Sequence, residues 1–196
     1  LAGNALLSNF GWSFTTGGYA EARGVTDESF SDGTHKGYGT YQTVKLGITQ
    51  TSKGESMIMD SYGRILVTGY GAASAGNGTA MRIWRILPDR SLDGSFGEKG
   101  VVQYFYASSG VDNEFIGRSI TIDATGKVLV AGESYLASGG GLTVWRYNFD
   151  GSTDESFGTG GKTGYPSAWR GFSIALDPAG NVFVLGEILA NGVFGP

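Results

Sequence analysis

The chain has 196 residues, of which 40% are hydrophobic, 13% aromatic and only 16% charged. An average soluble domain is roughly 25% charged, and a disordered chain is rich in charge and poor in aromatics, so this composition favours a buried core. A net charge of −4 with scattered Lys and Arg excludes a nucleic-acid surface, and the absence of cysteine excludes disulfides, thiolate catalysis and Cys-built zinc sites.

Glycine is the compositional outlier at 35 residues, without a Gly-X-Y period, beside only four prolines. Abundant Val, Ile, Tyr, Phe and Thr between glycines read as short strands joined by tight turns. No apolar run approaches the roughly 20 residues of a membrane span, and no basic-then-apolar leader is visible.

In chain order, residues 1–25 form an N-terminal segment whose stretch Gly11-Trp12-Ser13-Phe14-Thr15-Thr16 suits a strand able to pair with the last repeat. The repeats occupy 26–196. Thr26-Asp27-Glu28-Ser29-Phe30 is the tail of a motif that recurs later, and His35 follows in a polar loop. Residues 54–69 then read as a hairpin. Met57 and Met59, then Ile65 and Val67, alternate with other residues, and Asp60-Ser61-Tyr62-Gly63 makes the turn, with Asp bonding amides ahead of it and Gly supplying positive φ. Gly69 closes the hairpin and releases the chain into the loop Tyr70–Ala80, where Asn77-Gly78-Thr79 matches a glycosylation acceptor. Trp84-Arg85 marks a third strand, Ser91-Leu92-Asp93-Gly94-Ser95-Phe96-Gly97 a turn, and Val101-Val102-Gln103-Tyr104-Phe105 a fourth strand.

The hairpin returns at 117–132 and 171–186, aligned without a gap, at spacings of 63 and 54 residues (54 to 117 to 171). The Trp-Arg motif returns at Trp145-Arg146, ending in Asp154-Glu155-Ser156-Phe157-Gly158. The predicted fold is all-β, with three four-stranded antiparallel repeats as the blades of a β-propeller. Three blades are fewer than the four to eight of a closed propeller. The chain is therefore half of a six-bladed propeller, a fragment of a larger one, or three sheets closed as a prism.

The pattern Asp-x-x-Gly-[Lys/Arg]-[Ile/Val]-Leu-Val-x-Gly, then Trp-Arg, then Asp-x-Ser-Phe-Gly, resembles the delta-sixty repeat family over about residues 26–187. The resemblance implies a propeller-like fold in a secreted or surface-anchored protein and implies no known chemistry. Arg90 departs from it where Gly151 keeps the turn glycine, and Ser31 stands where Gly97 and Gly158 do.

No catalytic residue is assigned. His35 is the single histidine, and no nucleophile elbow or zinc pair occurs. Glu133 and Glu187 hold equivalent positions and are read as solvated rim charges, with a glycosidase-like pair as the alternative. Asp89, Asp93, Asp150 and Asp154, spaced with serines on alternate residues, suit Asx turns and also resemble a calcium loop without its bidentate Glu. Calcium is the one cofactor with any sequence support; otherwise none is expected. Tyr70 and Tyr135 in the variable loops, with Trp169, are the candidates for stacking on a sugar. The leading expectation is a non-catalytic, secreted or cell-surface module that binds or assembles with a protein or glycan partner, as a homo-oligomer or as part of a longer chain. The alternatives are a lectin and a propeller-fold hydrolase or lyase.

Overall fold

The computed structural model describes residues 52–73, 78–105, 113–135, 140–165 and 167–188. The N-terminal segment 1–25, the tail Thr26–Phe30, His35 and Asn77 lie outside them. The described residues contain ten strands and no helix: β1 (Ser52–Met59), β2 (Ile65–Ala72), β3 (Gly78–Ile86), β4 (Val101–Tyr104), β5 (Asn113–Ile122), β6 (Val128–Tyr135), β7 (Gly141–Tyr147), β8 (Lys162–Tyr165), β9 (Ala168–Leu176) and β10 (Val182–Ile188). Among them β1–β4 and β5–β8 form two antiparallel units of four strands, and β9–β10 forms a third of two. This is a β-propeller-like fold. A short parallel contact, Gly78 with Asn113 and Thr79 with Glu114, links the first unit to the second.

Each hairpin turn forms as its sequence dictates. The Oδ1 atoms of Asp60, Asp123 and Asp177 accept amide hydrogens from the second and fourth residues ahead, at 2.8–3.0 Å. Gly63, Gly126 and Gly180 take φ of 74°, 85° and 85°, where a side chain is strained. Arg90 adopts 72° in the place where Gly151 has 87°, so the backbone of this turn is kept despite the missing glycine.

The closing glycines do something other than release the chain into loops. Gly69, Gly132 and Gly186 lie inside β2, β6 and β10, opposite a β-bulge in the preceding strand. The bulged residues are Glu55, Arg118 and Phe172, each in a Gly-x-Ser sequence. A bulge bends its strand and increases the local twist. A Cβ at Gly69 or Gly132 would lie 1.8 Å from the carbonyl oxygen of Lys53 or Ile116, and at Gly186 2.5 Å from that of Arg170. The glycine is required by this close approach of two backbones.

The three units stack face to face. Along β6 the run Val128-Leu129-Val130-Ala131 is buried on both sides. Val128 and Val130 join a cluster with Leu66, Met81 and Ile83 of the first unit, while Leu129 and Ala131 join Ile174, Val182 and Val184 of the third. A strand covered on both faces reads as a continuous apolar run, which is why β6 alternates less than β1 or β10. Trp145 is fully buried in the first cluster, and its counterpart Trp84 is half-buried.

Candidate functional site

The Trp-Arg and Asp-x-Ser-Phe motifs meet in one repeated cluster. Arg85 on β3 donates from Nε to Asp93 Oδ2 at 2.9 Å, and Arg146 on β7 donates to Asp154 Oδ2 at 2.7 Å. The other carboxylate oxygen accepts from the backbone N–H and hydroxyl of Ser95 or Ser156. The backbone closes the loop: Asp93 N–H donates to Arg85 O, and Asp154 N–H to Arg146 O. Each guanidinium stacks 4.4 Å from the ring centre of Phe96 or Phe157. A cation from the hairpin joins each carboxylate, Arg64 at 3.7 Å from Asp93 and Lys127 at 2.6 Å from Asp154.

These contacts set the charge states. Lys127, then the Ser156 hydroxyl, hold the Asp154 carboxyl far below the usual carboxylate range. Burial works against ionisation of Asp93, but Ser95 and then Arg85 outweigh it and its pKa is lowered. Asp89 and Asp150 are exposed and form Asx turns, each accepting from the N–H and hydroxyl of the serine two residues on. Of the four aspartates considered for calcium, Asp93 and Asp154 thus face cations, and Asp89 and Asp150 cap turns. Among the described residues, no three carboxylate or histidine side chains gather as a metal site.

The second unit is tied to the first through the same turn. Gly97 N–H donates to Asp150 O at 2.7 Å, and Arg85 donates to the carbonyl of Phe149. Phe149 also takes the Arg64 guanidinium, 4.3 Å from its ring centre.

The equivalent positions Tyr70, Glu133 and Glu187 have different environments. Tyr70 and Tyr135 are strand residues of β2 and β6 and half-buried, which corrects their placement in loops: the strands run one or more residues past the closing glycines. Lys53 approaches the Tyr70 ring at 5.8 Å. Glu133 is buried instead of standing as a solvated rim charge, because Arg118 sits at the bulge and reaches back with two donors, Nε at 2.7 Å and Nη2 at 2.6 Å. Glu187 is exposed and 3.7 Å from Arg170, whose guanidinium lies 3.9 Å from the Trp169 ring centre. The two equivalent carboxylates thus differ, Glu133 locked by a bidentate arginine and Glu187 held loosely.

A different group was not singled out by the sequence motifs. A cleft of about 360 Å³ opens between the hairpin turns of the first two units, lined by Met59, Tyr62, Arg64, Asp123 and Phe149 among others. Tyr62 is largely exposed and meets Phe149 edge-on, with ring centres 5.8 Å apart. The signal for Arg64 was present in the [Lys/Arg] position of the hairpin motif. Tyr62 and Phe149 had none, because they come from turns of different units.

A family model described as a domain of unknown function (DUF5122) β-propeller matches residues 63–96 and 124–157. Each stretch runs from the hairpin turn through the Asp-x-Ser-Phe motif, so this chain is similar to that family over the repeated Arg–Asp clusters. No curated protein matches the sequence.

Proposed function

We propose that this chain is a non-catalytic β-propeller module of a secreted or cell-surface protein, of the delta-sixty repeat type, that binds or assembles with other chains through its sheet faces. One observation carries the reading. Of the two carboxylates closest to a catalytic pattern, Glu133 is committed to Arg118, and the calcium candidates Asp93 and Asp154 are committed to Arg85 and Arg146, while the large apolar residues Met57, Met59, Phe183 and Leu185 of the described strands are exposed. Buried ion pairs of this kind hold sheets in place, and exposed apolar patches mark interaction surfaces.

The test compares the purified wild type with the double variant Met57→Asp/Leu185→Asp in light scattering and cross-linking, alone and with extracts of its native cell surface. The wild type enters a defined larger species and the variant does not; identical profiles refute the proposal. Turnover of a glycoside or polyuronate by the wild type that disappears in Glu133→Gln or Glu187→Gln also refutes it, in favour of a hydrolase or lyase.

The cleft at Tyr62 supports a second reading, a lectin. An exposed aromatic ring beside Arg64 and Asp123 offers the apolar face and polar contacts that a pyranose needs. Glycan-array binding lost in Tyr62→Ala supports it, and an array with no bound sugar removes it.

A further inference from the structure

The three hairpin turns are equivalent in sequence, so the fate of each turn aspartate's second carboxylate oxygen can be compared. Asp60, Asp123 and Asp177 each use Oδ1 to accept the amides of their own turn. In the first and third turns the residue four positions on fills Oδ2. Arg64 donates from Nε to Asp60 Oδ2 at 2.6 Å, and Asn181 donates from Nδ2 to Asp177 Oδ2 at 2.6 Å. In the second turn that residue is Lys127, whose ammonium goes to Asp154 Oδ2 at 2.6 Å instead. Among the described residues every hydrogen bond to the Asp123 carboxylate falls on Oδ1, and Oδ2 is left without a donor. Burial opposes ionisation of Asp123, but the Thr125 hydroxyl and the turn amides outweigh it, and its pKa is lowered.

Asp123 also lines the cleft of about 360 Å³ between the first two units. Small-ligand sites occupy about 300–1,000 Å³. The floor of the cleft is apolar, with Ile58, Leu66, Ile122 and Val128, and the Tyr62 ring beside it is 69% exposed. Both guanidinium groups in the cleft are committed, Arg64 to Asp60 and Arg85 to Asp93, Ser95 and the Phe149 carbonyl. The charge left over is that of Asp123. Every connection at this end of the strands, 60–64, 87–100, 123–127, 148–161 and 177–181, lies within the described residues, and the strands lead to the remaining residues at their opposite ends.

We propose that this cleft takes a sugar with a free amino group, a hexosamine unit, its ammonium on Asp123 Oδ2 and an apolar face of its ring on Tyr62. The proposal rests on the lectin reading above and names the class of sugar. A carboxylate without a cation tells an ammonium from its acetamide, because only the ammonium makes a charge-assisted hydrogen bond. The same charge rejects a uronate, whose carboxylate would meet Asp123 with no uncommitted guanidinium to pair with it.

The experiment is isothermal titration calorimetry of the full chain with tetramers of glucosamine, N-acetylglucosamine and galacturonate. The glucosamine tetramer binds about tenfold or more tightly than the acetylated one, and galacturonate does not bind. The preference shrinks as NaCl rises from about 50 to about 500 mM. Asp123→Asn keeps the Oδ1 acceptor that the turn needs, and circular dichroism confirms that it melts as the wild type does. It binds the two hexosamine tetramers equally, and Tyr62→Ala binds neither. Equal binding of these tetramers by the wild type, or a preference that survives in Asp123→Asn, overturns the amino sugar and leaves the lectin reading standing. Should the Asn variant not fold, the wild-type preference and its salt dependence still decide. A tetralysine peptide that binds as tightly as the glucosamine tetramer and displaces it assigns the cleft to a basic peptide and overturns the sugar. A wild type that binds none of the tetramers overturns this proposal, and one that also binds nothing on a glycan array overturns the lectin reading with it.

Discussion

The closing glycine of the hairpin makes a sharp prediction. In Gly132→Ala the new Cβ is placed 1.8 Å from Ile116 O, 2.9 Å from Ile116 C and 3.2 Å from Gly117 Cα, against 3.4–4 Å for ordinary contact. Relief requires β5 and β6 to separate by about 1.5 Å, half the length of a hydrogen bond. Neither strand is free to yield. β6 is paired with β7 on its other side, and β5 packs on the first unit. Losing one or two ladder bonds at about 1 kcal/mol each, with overpacking of about 1–3 kcal/mol, gives a destabilisation of about 3 kcal/mol. For a chain of this size that lowers Tm by about 6–12 °C. The control is Gly94→Ala, where a Cβ meets nothing within 4 Å and φ is not positive; its effect is within about 0.5 kcal/mol. Urea denaturation followed by tryptophan fluorescence measures both. Equal stabilities for the two variants would refute the backbone-contact explanation of the repeated glycine.

Arg85→Met leaves Asp93 buried without its main cation and costs about 3 kcal/mol, read by the same denaturation. Arg146→Met costs less, because Asp154 keeps Lys127 and the site is more exposed. Glu133→Gln loses a bidentate ion pair and destabilises by about 1–2 kcal/mol, whereas Glu187→Gln is neutral within about 0.5 kcal/mol; a reversed order contradicts the assignment of Glu133 as the structural carboxylate. The folded-state pKa values of Asp60, Asp93, Asp123, Asp154 and Asp177 lie below the ordinary 3.8, so their contribution is complete above that value and is lost as pH falls through the lower folded values. Thermal melts at stepped pH show a plateau near neutrality and a fall below about pH 4; in Asp154→Asn that acid fall is shallower.

The turns and the repeat were legible in the sequence because their causes are local. Asp60, Asp123 and Asp177 find their amides within four residues, and Gly63, Gly126 and Gly180 meet their positive φ within the same turn. The pairing of Trp-Arg with Asp-x-Ser-Phe also spans few enough residues to recur as a motif. What each carboxylate does was not legible. Asp93 and Asp154 read equally as calcium ligands until Arg85, Arg146 and Lys127 were placed beside them, and Glu133 read as a rim charge until the bulge turned Arg118 onto it.

Sequence alone therefore determined that three equivalent hairpins exist, where each turns, and which residues alternate along them. Only the tertiary structure decided which of those alternating residues are inside. Met57, Ile120 and Ile174 hold one position in one pattern, yet the first is half exposed and the others are buried. The physical reason is that a strand's period sets which side chains share a face, whereas burial depends on whether another sheet lies against it.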